Sequence, residues 1–186
     1  MNRLYRKLRN HLERQKDRPL EYYINQEMPK LLEYEKILGQ EFTGKLLDLG
    51  CGLNYFSQAC ALRKILAEGL DLDKCDFEKD KLPFPDESFN IITMHDVVEH
   101  IWNPRHLFEE INRVLVKGGI LIIRTHDWVS CWKTFYNDPT RKRPYTEQTF
   151  KKVFMTFGMK IRTLETTGGR WPWSKKRILA IAQRMK

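Results

Sequence analysis

The fold of this chain follows from one short stretch, Leu46-Leu47-Asp48-Leu49-Gly50-Cys51-Gly52-Leu53-Asn54. Its apolar run predicts a buried strand, and the two glycines predict a tight turn into a helix. Because glycine has no Cβ atom, Gly50 and Gly52 allow a sharp bend or the close approach of a ligand. A nucleotide-like ligand at this turn would meet backbone N–H groups and the positive end of the next helix. The stretch therefore predicts a cofactor-binding strand–turn–helix unit.

The rest of the chain predicts an α/β fold with a doubly wound, mostly parallel sheet, because short apolar runs alternate with helical stretches. The predicted strands are residues 45–49, 65–72, 89–94, 120–125 and 160–165, and residues 177–183 fit either a strand or a basic helix. The predicted helices are residues 55–63, 104–116 and 147–157, and Gly118-Gly119 is expected to end the second of them. Residues 1–40 predict two helices that are broken near Pro19, the second ending at Gly39.

Composition sets limits on the class of protein. The chain has 186 residues, of which 41% are hydrophobic, so it is long enough for one domain with a real core. No apolar run approaches the roughly 20 residues of a membrane span, and the amino terminus lacks the apolar region of a secretory signal. The spacing of Cys51, Cys60, Cys75 and Cys131 matches neither a CxxC pair nor a metal site. These features predict a cytoplasmic protein with reduced thiols.

The net charge of +9 is concentrated at the two ends of the chain. Residues 1–18 carry a net charge of +5 and residues 170–186 carry +6, which leaves −2 for the residues between them. Basic ends around a near-neutral body suggest an acidic partner, namely nucleic acid, a phosphorylated substrate or an anionic membrane surface. Solvated basic helices without a partner explain the same pattern.

An acidic residue follows the second predicted strand. Asp71 lies 19 residues beyond Gly52, at the end of an apolar run and next to Leu72. A carboxylate at this strand end can accept hydrogen bonds from the hydroxyl groups of a ribose. A glycine turn with such an acid fits an NAD-dependent dehydrogenase as well as other enzymes with nucleotide-like cofactors.

Four motifs together distinguish between these classes. The stretch from Asp48 to Asn54 resembles motif I of the class I S-adenosylmethionine (SAM)-dependent methyltransferases, Asp-x-Gly-x-Gly-x-Gly, with Asn54 at the third glycine. Residues 76–90 are similar to the family pattern Asp-x-x-x-x-Leu-Pro-Phe-x-Asp-x-Ser-Phe-Asp. Residues 94–101 resemble the family segment that ends in Glu-His, and residues 113–121 match Arg-Val-Leu-x-x-Gly-Gly-x-Leu. The chain thus resembles the methyltransferase type 11-like family.

The resemblance implies a Rossmann-like class I methyltransferase fold with SAM as the cofactor. It implies one domain over residues 1–186, with a helical cap (1–40), a SAM-binding core (44–165) and a basic carboxyl-terminal segment (166–186). Asp48 is expected to shape the turn or to reach the amino group of SAM, and Asp76 and Phe77 are expected to contact its adenine. The full set of expected cofactor-binding residues is Asp48, Gly50, Cys51, Gly52, Asn54, Asp71, Leu72, Asp76, Phe77 and His95.

One departure from the family concerns the connection between the second and third strands. Only four residues separate Asp71 from Asp76, where the family inserts a helix. The sequence therefore predicts that this helix is missing and that the third strand is shortened, leaving one sheet edge open. An open edge needs cover. The amino-terminal helices or a second subunit in a homodimer could provide it.

The methyl acceptor is expected to be a small molecule or a glycan, modified at oxygen. A general base helps when the acceptor is a hydroxyl, and histidine has a suitable pKa. His100 and His95 are the first candidates and His126 is the third, while a histidine that only hydrogen-bonds the acceptor fits equally well. The i, i+4 pairs His95/Glu99 and Asp96/His100 have a spacing at which two side chains can bind one metal ion. No HExxH motif or third ligand accompanies them in the sequence, so no metal is predicted.

The segment from His126 to Thr146 is the expected acceptor lid, because loops beyond the strand ends line the crevice of such sheets. It resembles an Asp-Pro-Thr-His element of some small-molecule and glycan methyltransferases, with Arg141 at the histidine position. An aromatic satellite core fits these residues equally well. Two further functions remain open: methylation of nucleic acid held by the basic ends, and a SAM-binding but inactive partner subunit, which the Asn54 substitution and the short connection after Asp71 would suit.

Overall fold

The computed structural model describes residues 19–168 and 176–185. The strands are β1 (Lys45–Leu49), β2 (Leu66–Leu70), β3 (Phe89–His95), β4 (Leu115–His126), β5 (Met159–Thr167) and β6 (Arg177–Arg184). The helices are α1 (Leu20–Leu38), α2 (Tyr55–Leu62), α3 (Pro104–Val114), α4 (Trp128–Cys131) and α5 (Glu147–Thr156), with 3₁₀ turns at Val98–His100 and Phe135–Asn137. The helix predicted within residues 1–18 lies outside the described residues.

The six strands form one sheet in the order β2-β1-β3-β4-β6-β5. Strands β2, β1, β3 and β4 are parallel to one another, and β6 runs antiparallel between β4 and β5. The predicted α/β class and mostly parallel sheet are therefore confirmed. The last stretch of the chain is a strand rather than a basic helix, and it lies inside the sheet instead of forming a separate segment.

Both faces of the sheet are buried, as expected for parallel strands with helices on either side. On one face, Tyr34 of α1 and Phe56 of α2 pack over Leu46 and Ile122. On the other face, helices α3 and α5 pack over Leu47 through a cluster that includes Phe108. Helix α1 ends at Gly39, whose φ of +69° supplies the left-handed turn that was predicted there.

Strand β2 forms the outer edge of the sheet. Within the described residues, no strand pairs with its outer side, and residues 71–88 contain no helix. The absence of this helix was predicted from the short spacing between Asp71 and Asp76. Leu31 and Tyr34 of α1 pack on a face of the sheet, so these two residues leave the edge uncovered. A second subunit at this edge remains a prediction.

The expected role of Gly118-Gly119 as the end of the preceding helix is wrong. Helix α3 ends at Val114, and Leu115 already has extended backbone angles and pairs with Phe89. The fully buried Leu115 side chain needs this early change of direction to enter the core. Gly118, with a φ of +77°, instead lies where the pairing of β4 with β3 shifts register.

Arg113 holds the long loop between β2 and β3 against helix α3. Its guanidinium donates to the Glu110 carboxylate (2.7 and 2.9 Å), to Asp86 (2.8 Å) and to the carbonyls of Leu82 (3.0 Å) and Phe84 (2.8 Å). Glu110 also accepts the Leu82 N–H at 2.8 Å. These contacts explain physically why the Leu-Pro-Phe loop and the Arg-Val-Leu segment occur together.

We expect Arg113→Met to lower the free energy of unfolding by about 3 kcal/mol, because it leaves Glu110 without its ion-pair partner. The Arg113 side chain is 17% exposed, so solvent screens the pair only weakly. Arg105→Met is the matched control, since that arginine pairs with Glu109 at 78% exposure and its loss should change little. Urea denaturation of both variants measures the difference. Equal midpoints for the two would contradict a structural role of Arg113.

Candidate cofactor and acceptor site

The candidate site lies at the carboxyl ends of the parallel strands. The chain passes from β1 outward to β2 and then crosses back to β3 on the other side of β1. In sheets of this kind, ligands bind in the crevice beyond the strand ends at such a reversal. The groups at these strand ends are Asp48 near the end of β1, Gly50 after β1, Asp71 after β2 and Asp96 after β3.

The two glycines of the turn after β1 serve different purposes. Gly50 has a φ of +73°, and its N–H donates to the Leu70 carbonyl at 2.7 Å. A Cβ atom on Gly50 would lie 2.2 Å from Cγ2 of Val97, so packing excludes any side chain there. Gly52 has a φ of +53° and no atom within 4 Å of a Cβ position, so the space beside it is open. Open space at this turn fits a bound ligand.

Asn54 occupies the third glycine position in a left-handed backbone conformation, and its buried Oδ1 has no hydrogen-bond partner among the described residues. Its φ is +64°, and asparagine is among the residues that adopt the left-handed conformation most readily. Its side chain lies against Gly69 of β2, where a Cβ would be 2.1 Å from Asn54 Oδ1 and 2.8 Å from Cys51 Sγ. Burial raises the pKa of Cys51 to about 12, so its thiol stays protonated. The absent side chain at Gly69 therefore makes room for both residues.

Asp71 ends β2 with a buried carboxylate that is only half satisfied. Its Oδ1 accepts the Leu72 N–H at 2.7 Å, and the residue is 4% exposed. Its Oδ2 is buried and has no hydrogen-bond partner among the described residues. Such an oxygen is costly to leave unpaired. A ligand hydroxyl would satisfy it, so the position fits the ribose of SAM.

Asp48 lies one residue before the end of β1 and is almost fully buried. Its Oδ1 accepts the Thr93 hydroxyl at 2.7 Å and lies 3.8 Å from Nδ1 of His95. Burial raises the pKa of Asp48 to about 7, and the Thr93 hydrogen bond opposes this only in part. The carboxyl group can therefore gain or lose its proton near neutral pH.

His95 is partly buried between the sheet and the first two helices. Its Nε2 lies 2.9 Å from the Tyr34 hydroxyl, and its ring stacks on Tyr34 and meets the edge of Phe56. Burial lowers the pKa of His95 to about 3, so the ring is neutral. These contacts suit a residue that packs α1 against the end of β3, beside Asp48, better than one that takes a proton from an acceptor.

The two residues expected at the adenine lie in the loop after β2. The Asp76 carboxylate accepts the Glu78 N–H at 3.0 Å and pairs with Lys79 at 2.9 Å, and it is partly exposed. Phe77 is fully buried in the core, so only its backbone can face a ligand. The Asp76 carboxylate is therefore partly exposed with local partners, and the Phe77 ring anchors the loop in the core.

A second group of polar side chains lies beyond β3 and β4. Glu99 is fully buried, and its carboxylate accepts the Thr125 hydroxyl at 2.7 Å and His126 Nδ1 at 3.0 Å. Burial would raise the pKa of Glu99, but these hydrogen bonds outweigh it and hold the pKa below its usual value. Arg141 donates to His126 Nε2 at 3.1 Å, so the His126 proton must sit on Nδ1.

Asp96 extends this group, since its carboxylate pairs with Arg177 and lies 3.5 Å from His126. Ligand atoms of Asp96, Glu99 and His126 lie within 4.8 Å of one another, which is close enough for a metal ion. Hydrogen bonds to Arg177, Thr125 and Arg141 already use atoms of all three. The two i, i+4 pairs noted in the sequence do not form this group, because His126 comes from a different strand.

His100 lies at the end of the 3₁₀ turn after β3. Its Nδ1 lies 2.9 Å from Oγ1 of Thr140, which in turn lies 2.5 Å from Oδ1 of Asp138. The carbonyl of Glu99 accepts the N–H groups of Lys142 and Arg143 at 2.8 and 3.0 Å. The loop expected to form an acceptor lid thus lies at this edge of the sheet.

The aromatic part of the same segment is divided between core and surface. Phe135 is fully buried and packs edge-on against Trp128, while Trp132 and Tyr136 are each 57% exposed. Sequence reasoning missed Thr140 as a partner of His100 and Arg141 as a partner of His126. The only local signal was the match to an Asp-Pro-Thr element, and such a match identifies residues but not the side chains that they contact.

The sheet order and the turn at its reversal define a Rossmann-like domain for a nucleotide-type cofactor. The methyltransferase-domain family matches residues 47–123 of this chain. A probable S-adenosylmethionine-dependent methyltransferase of Mycobacterium tuberculosis is 25% identical over 107 residues, 50% of this chain and 39% of that protein. A ubiquinone biosynthesis O-methyltransferase of Glaesserella parasuis is 29% identical over 108 residues, 45% of this chain and 46% of that protein.

The fold is shared with the crystal structure of a SAM-dependent methyltransferase from Mesorhizobium loti, with a TM-score of 0.69 and 15% identity over 84% of this chain and 100% of that one. Residues 47–123 therefore match a methyltransferase domain, which bears out the family resemblance seen in the motifs and agrees with SAM as the cofactor. The solved structure shows that the fold is shared. The chain spans less than half the length of the two relatives named above. No described helix is long and apolar enough to cross a membrane.

Proposed function

We propose that this chain binds SAM in the crevice at the ends of β1, β2 and β3 and transfers its methyl group to an oxygen of a small-molecule or glycan-type acceptor. The observation that carries the proposal is the buried, unpaired Oδ2 of Asp71 beside the glycine turn. A buried acceptor with no donor of its own supports a ligand with hydroxyl groups at this position. The ribose of SAM supplies them.

The chain's own residues would hold the cofactor from three sides. Asp71 accepts the ribose hydroxyls, Asp48 faces the amino group, and the loop at Asp76 borders the adenine. When bound, SAM supplies an activated methyl group: an acceptor lone pair bonds the methyl carbon, the C–S bond breaks with its electrons kept by sulfur, and a hydroxyl acceptor releases a proton. The protein then has to align the acceptor, exclude water and take up that proton.

Two observations support a small acceptor that reacts at oxygen. The loop from Asp138 to Arg143 is hydrogen-bonded to the 3₁₀ turn after β3, so an acceptor at His100 would meet a fixed loop there, which favours a small molecule. The His100 side chain lies at this same edge, and an imidazole nitrogen can accept the proton that a hydroxyl acceptor releases. The name of the G. parasuis relative, an O-methyltransferase of ubiquinone biosynthesis, agrees with such an acceptor.

Calorimetry with SAM tests the cofactor half of the proposal, and we expect saturable binding. A screen of catechols, phenols and glycosides that detects S-adenosylhomocysteine then tests the acceptor half. Absence of SAM binding would overturn the proposal as a whole. Turnover that requires nucleic acid or an amine would overturn only the acceptor class.

Asp48 should make SAM binding depend on pH. Its carboxyl group has a pKa of about 7 in the ligand-free protein, and only the carboxylate attracts the cationic amino group. We expect binding to weaken about tenfold between pH 7.5 and pH 6, because the proton must be released before SAM binds. Asp48→Asn should bind weakly at both pH values. Calorimetry at several pH values measures the slope, and a wild-type affinity without this slope would contradict the assignment.

The same ionisation affects the stability of the ligand-free protein in the opposite direction. The pKa of Asp48 is higher in the folded chain than in the unfolded chain, so the folded chain binds the extra proton between about pH 7 and pH 4. The contribution of Asp48 to stability therefore rises as the pH falls through this window. A weaker SAM affinity at pH 6 cannot then be attributed to loss of the fold through this group.

A further inference from the structure

The hydrogen-bond chain at His100 determines which of its ring nitrogens carries the proton. The Asp138 carboxylate can only accept hydrogen bonds, so the Thr140 hydroxyl, 2.5 Å away, directs its proton to it. Thr140 Oγ1 then has only lone pairs to offer His100 Nδ1 at 2.9 Å. The proton of His100 therefore sits on Nδ1, and Nε2 carries a lone pair. Within the described part of the chain, no group hydrogen-bonds to Nε2.

Asp138 remains charged in this arrangement. Burial would raise its pKa, but hydrogen bonds from the Thr140 hydroxyl and backbone N–H outweigh that effect and hold the pKa below its usual value. The Thr140 N–H lies 2.9 Å from Asp138 Oδ1, so the same carboxylate oxygen fixes both the backbone and the hydroxyl of Thr140. A negative charge is thus held one hydroxyl group away from the His100 ring, and Arg141 Nε lies 3.7 Å from the other oxygen of the same carboxylate.

The loop that carries Asp138 and Thr140 is fixed on both sides. On one side, the Glu99 carbonyl accepts two backbone N–H groups of residues 142 and 143 at 2.8 and 3.0 Å. On the other side, Arg141 donates to the Phe135 carbonyl at 3.2 Å and lies over the Phe135 ring at 5.3 Å. These contacts hold the loop against the 3₁₀ turn that ends in His100.

The other candidate histidines lack an available basic nitrogen. His126 Nε2 accepts a hydrogen bond from Arg141 at 3.1 Å, and its Nδ1 donates to Glu99. His95 Nε2 is already occupied, since it lies 2.9 Å from the Tyr34 hydroxyl. Of the three, His100 is the one whose Nε2 is left for an acceptor.

We propose that Asp138 and Thr140 are positioning residues that hold His100 with its Nε2 ready to take the proton of an acceptor hydroxyl. The inference rests on the proposed function. As the acceptor oxygen bonds the methyl carbon and the C–S bond breaks, the hydroxyl proton moves to Nε2 of His100. The positive charge of the sulfonium is thereby replaced by that of an imidazolium, which the Asp138 carboxylate stabilises through Thr140.

Long-range ¹H–¹⁵N NMR spectra of the histidine rings test the arrangement without any acceptor. We expect wild-type His100 to carry its proton on Nδ1 at a pH where the ring is neutral. Thr140→Val keeps the shape of the side chain but removes the hydroxyl, so a mixture of both tautomers is expected, while Thr140→Ser should retain the wild-type pattern. Two results would overturn the positioning role of Asp138 and Thr140: a proton on Nε2 of His100 in the wild type, or the same tautomer of His100 in Thr140→Val as in the wild type.

Turnover with a catechol or phenyl glycoside selected in the screen tests the role of the base. We expect His100→Gln to lower kcat about 100-fold or more, and Thr140→Val to lower it about tenfold, with KM unchanged and Thr140→Ser close to wild type. His106→Gln, on helix α3, is the control. SAM binding by calorimetry separates the two proposals, since a wild type that fails to bind SAM overturns the proposed function. If His100→Gln binds SAM and has a normal kcat, only the role of His100 as the base is overturned.

Discussion

Asp71→Ala should bind SAM about 100-fold more weakly than the wild type. The buried Oδ2 of Asp71 has no partner among the described residues, so a ligand that satisfies it gains hydrogen bonds to a charged group. Each such bond contributes about 1.5 to 3 kcal/mol, and the ribose has two hydroxyls that can donate. At the lower value, loss of both bonds costs about 3 kcal/mol, which corresponds to a decrease of about two powers of ten in affinity.

Calorimetry with SAM measures this effect on the purified variant, and thermal denaturation checks that the variant still folds. Asp73→Ala is the matched control, because Asp73 is an exposed acid only two residues further along the same loop. We expect its affinity for SAM to stay within about twofold of the wild type. Unchanged binding by Asp71→Ala would refute the ribose contact, even if the chain proves to bind SAM by other groups.

Gly50→Ala should lower the free energy of unfolding by about 4 kcal/mol. The new Cβ would lie 2.2 Å from Cγ2 of Val97, which is buried and cannot move aside freely. Overpacking of a core contributes about 1 to 3 kcal/mol, and the φ of +73° adds about 1 to 2 kcal/mol for a residue with a side chain. Both effects act on the folded state alone.

Gly52→Ala separates the two contributions. Gly52 also has a positive φ, but no atom lies within 4 Å of its Cβ position. We expect its loss of stability to be about 1 kcal/mol, from the backbone alone. Urea denaturation of both variants and of Gly50→Ala combined with Val97→Ala gives the comparison. If the losses of stability in Gly50→Ala and Val97→Ala simply add up in the double variant, the collision with Val97 is not the cause of the destabilisation by Gly50→Ala.

Most of the sheet could be predicted because its signals are local. Strand β1 extends over the residues predicted for it, and α2 ends one residue before its predicted end, since apolar periodicity and glycine positions act over a few residues. Gly118-Gly119 shows the limit of this reasoning. The end of α3 is set by the place of Leu115 in the core, which depends on its pairing with Phe89, a residue far away in the chain.

The candidate site divides in the same way. Asp71 and the glycine turn were recognised from the sequence, because each follows directly from a strand and a motif. The bond from Thr140 to His100 joins residues 40 positions apart, and that from His126 to Glu99 joins residues 27 positions apart. No spacing rule reaches across such distances, so the sequence ranked His100 and His95 before His126 but could not show which ring has an Nε2 without a partner.

The sequence by itself determined the class of this protein. Glycines, strand-end acids and apolar runs act locally, and their order specifies a methyltransferase domain with its cofactor crevice. Only the tertiary structure decided what each of these residues does there. Gly50 is required by Val97, Asn54 is accommodated by Gly69, and His100 contacts Thr140, which hydrogen-bonds to Asp138. The physical reason is that packing and hydrogen bonds depend on which distant segments the sheet brings together.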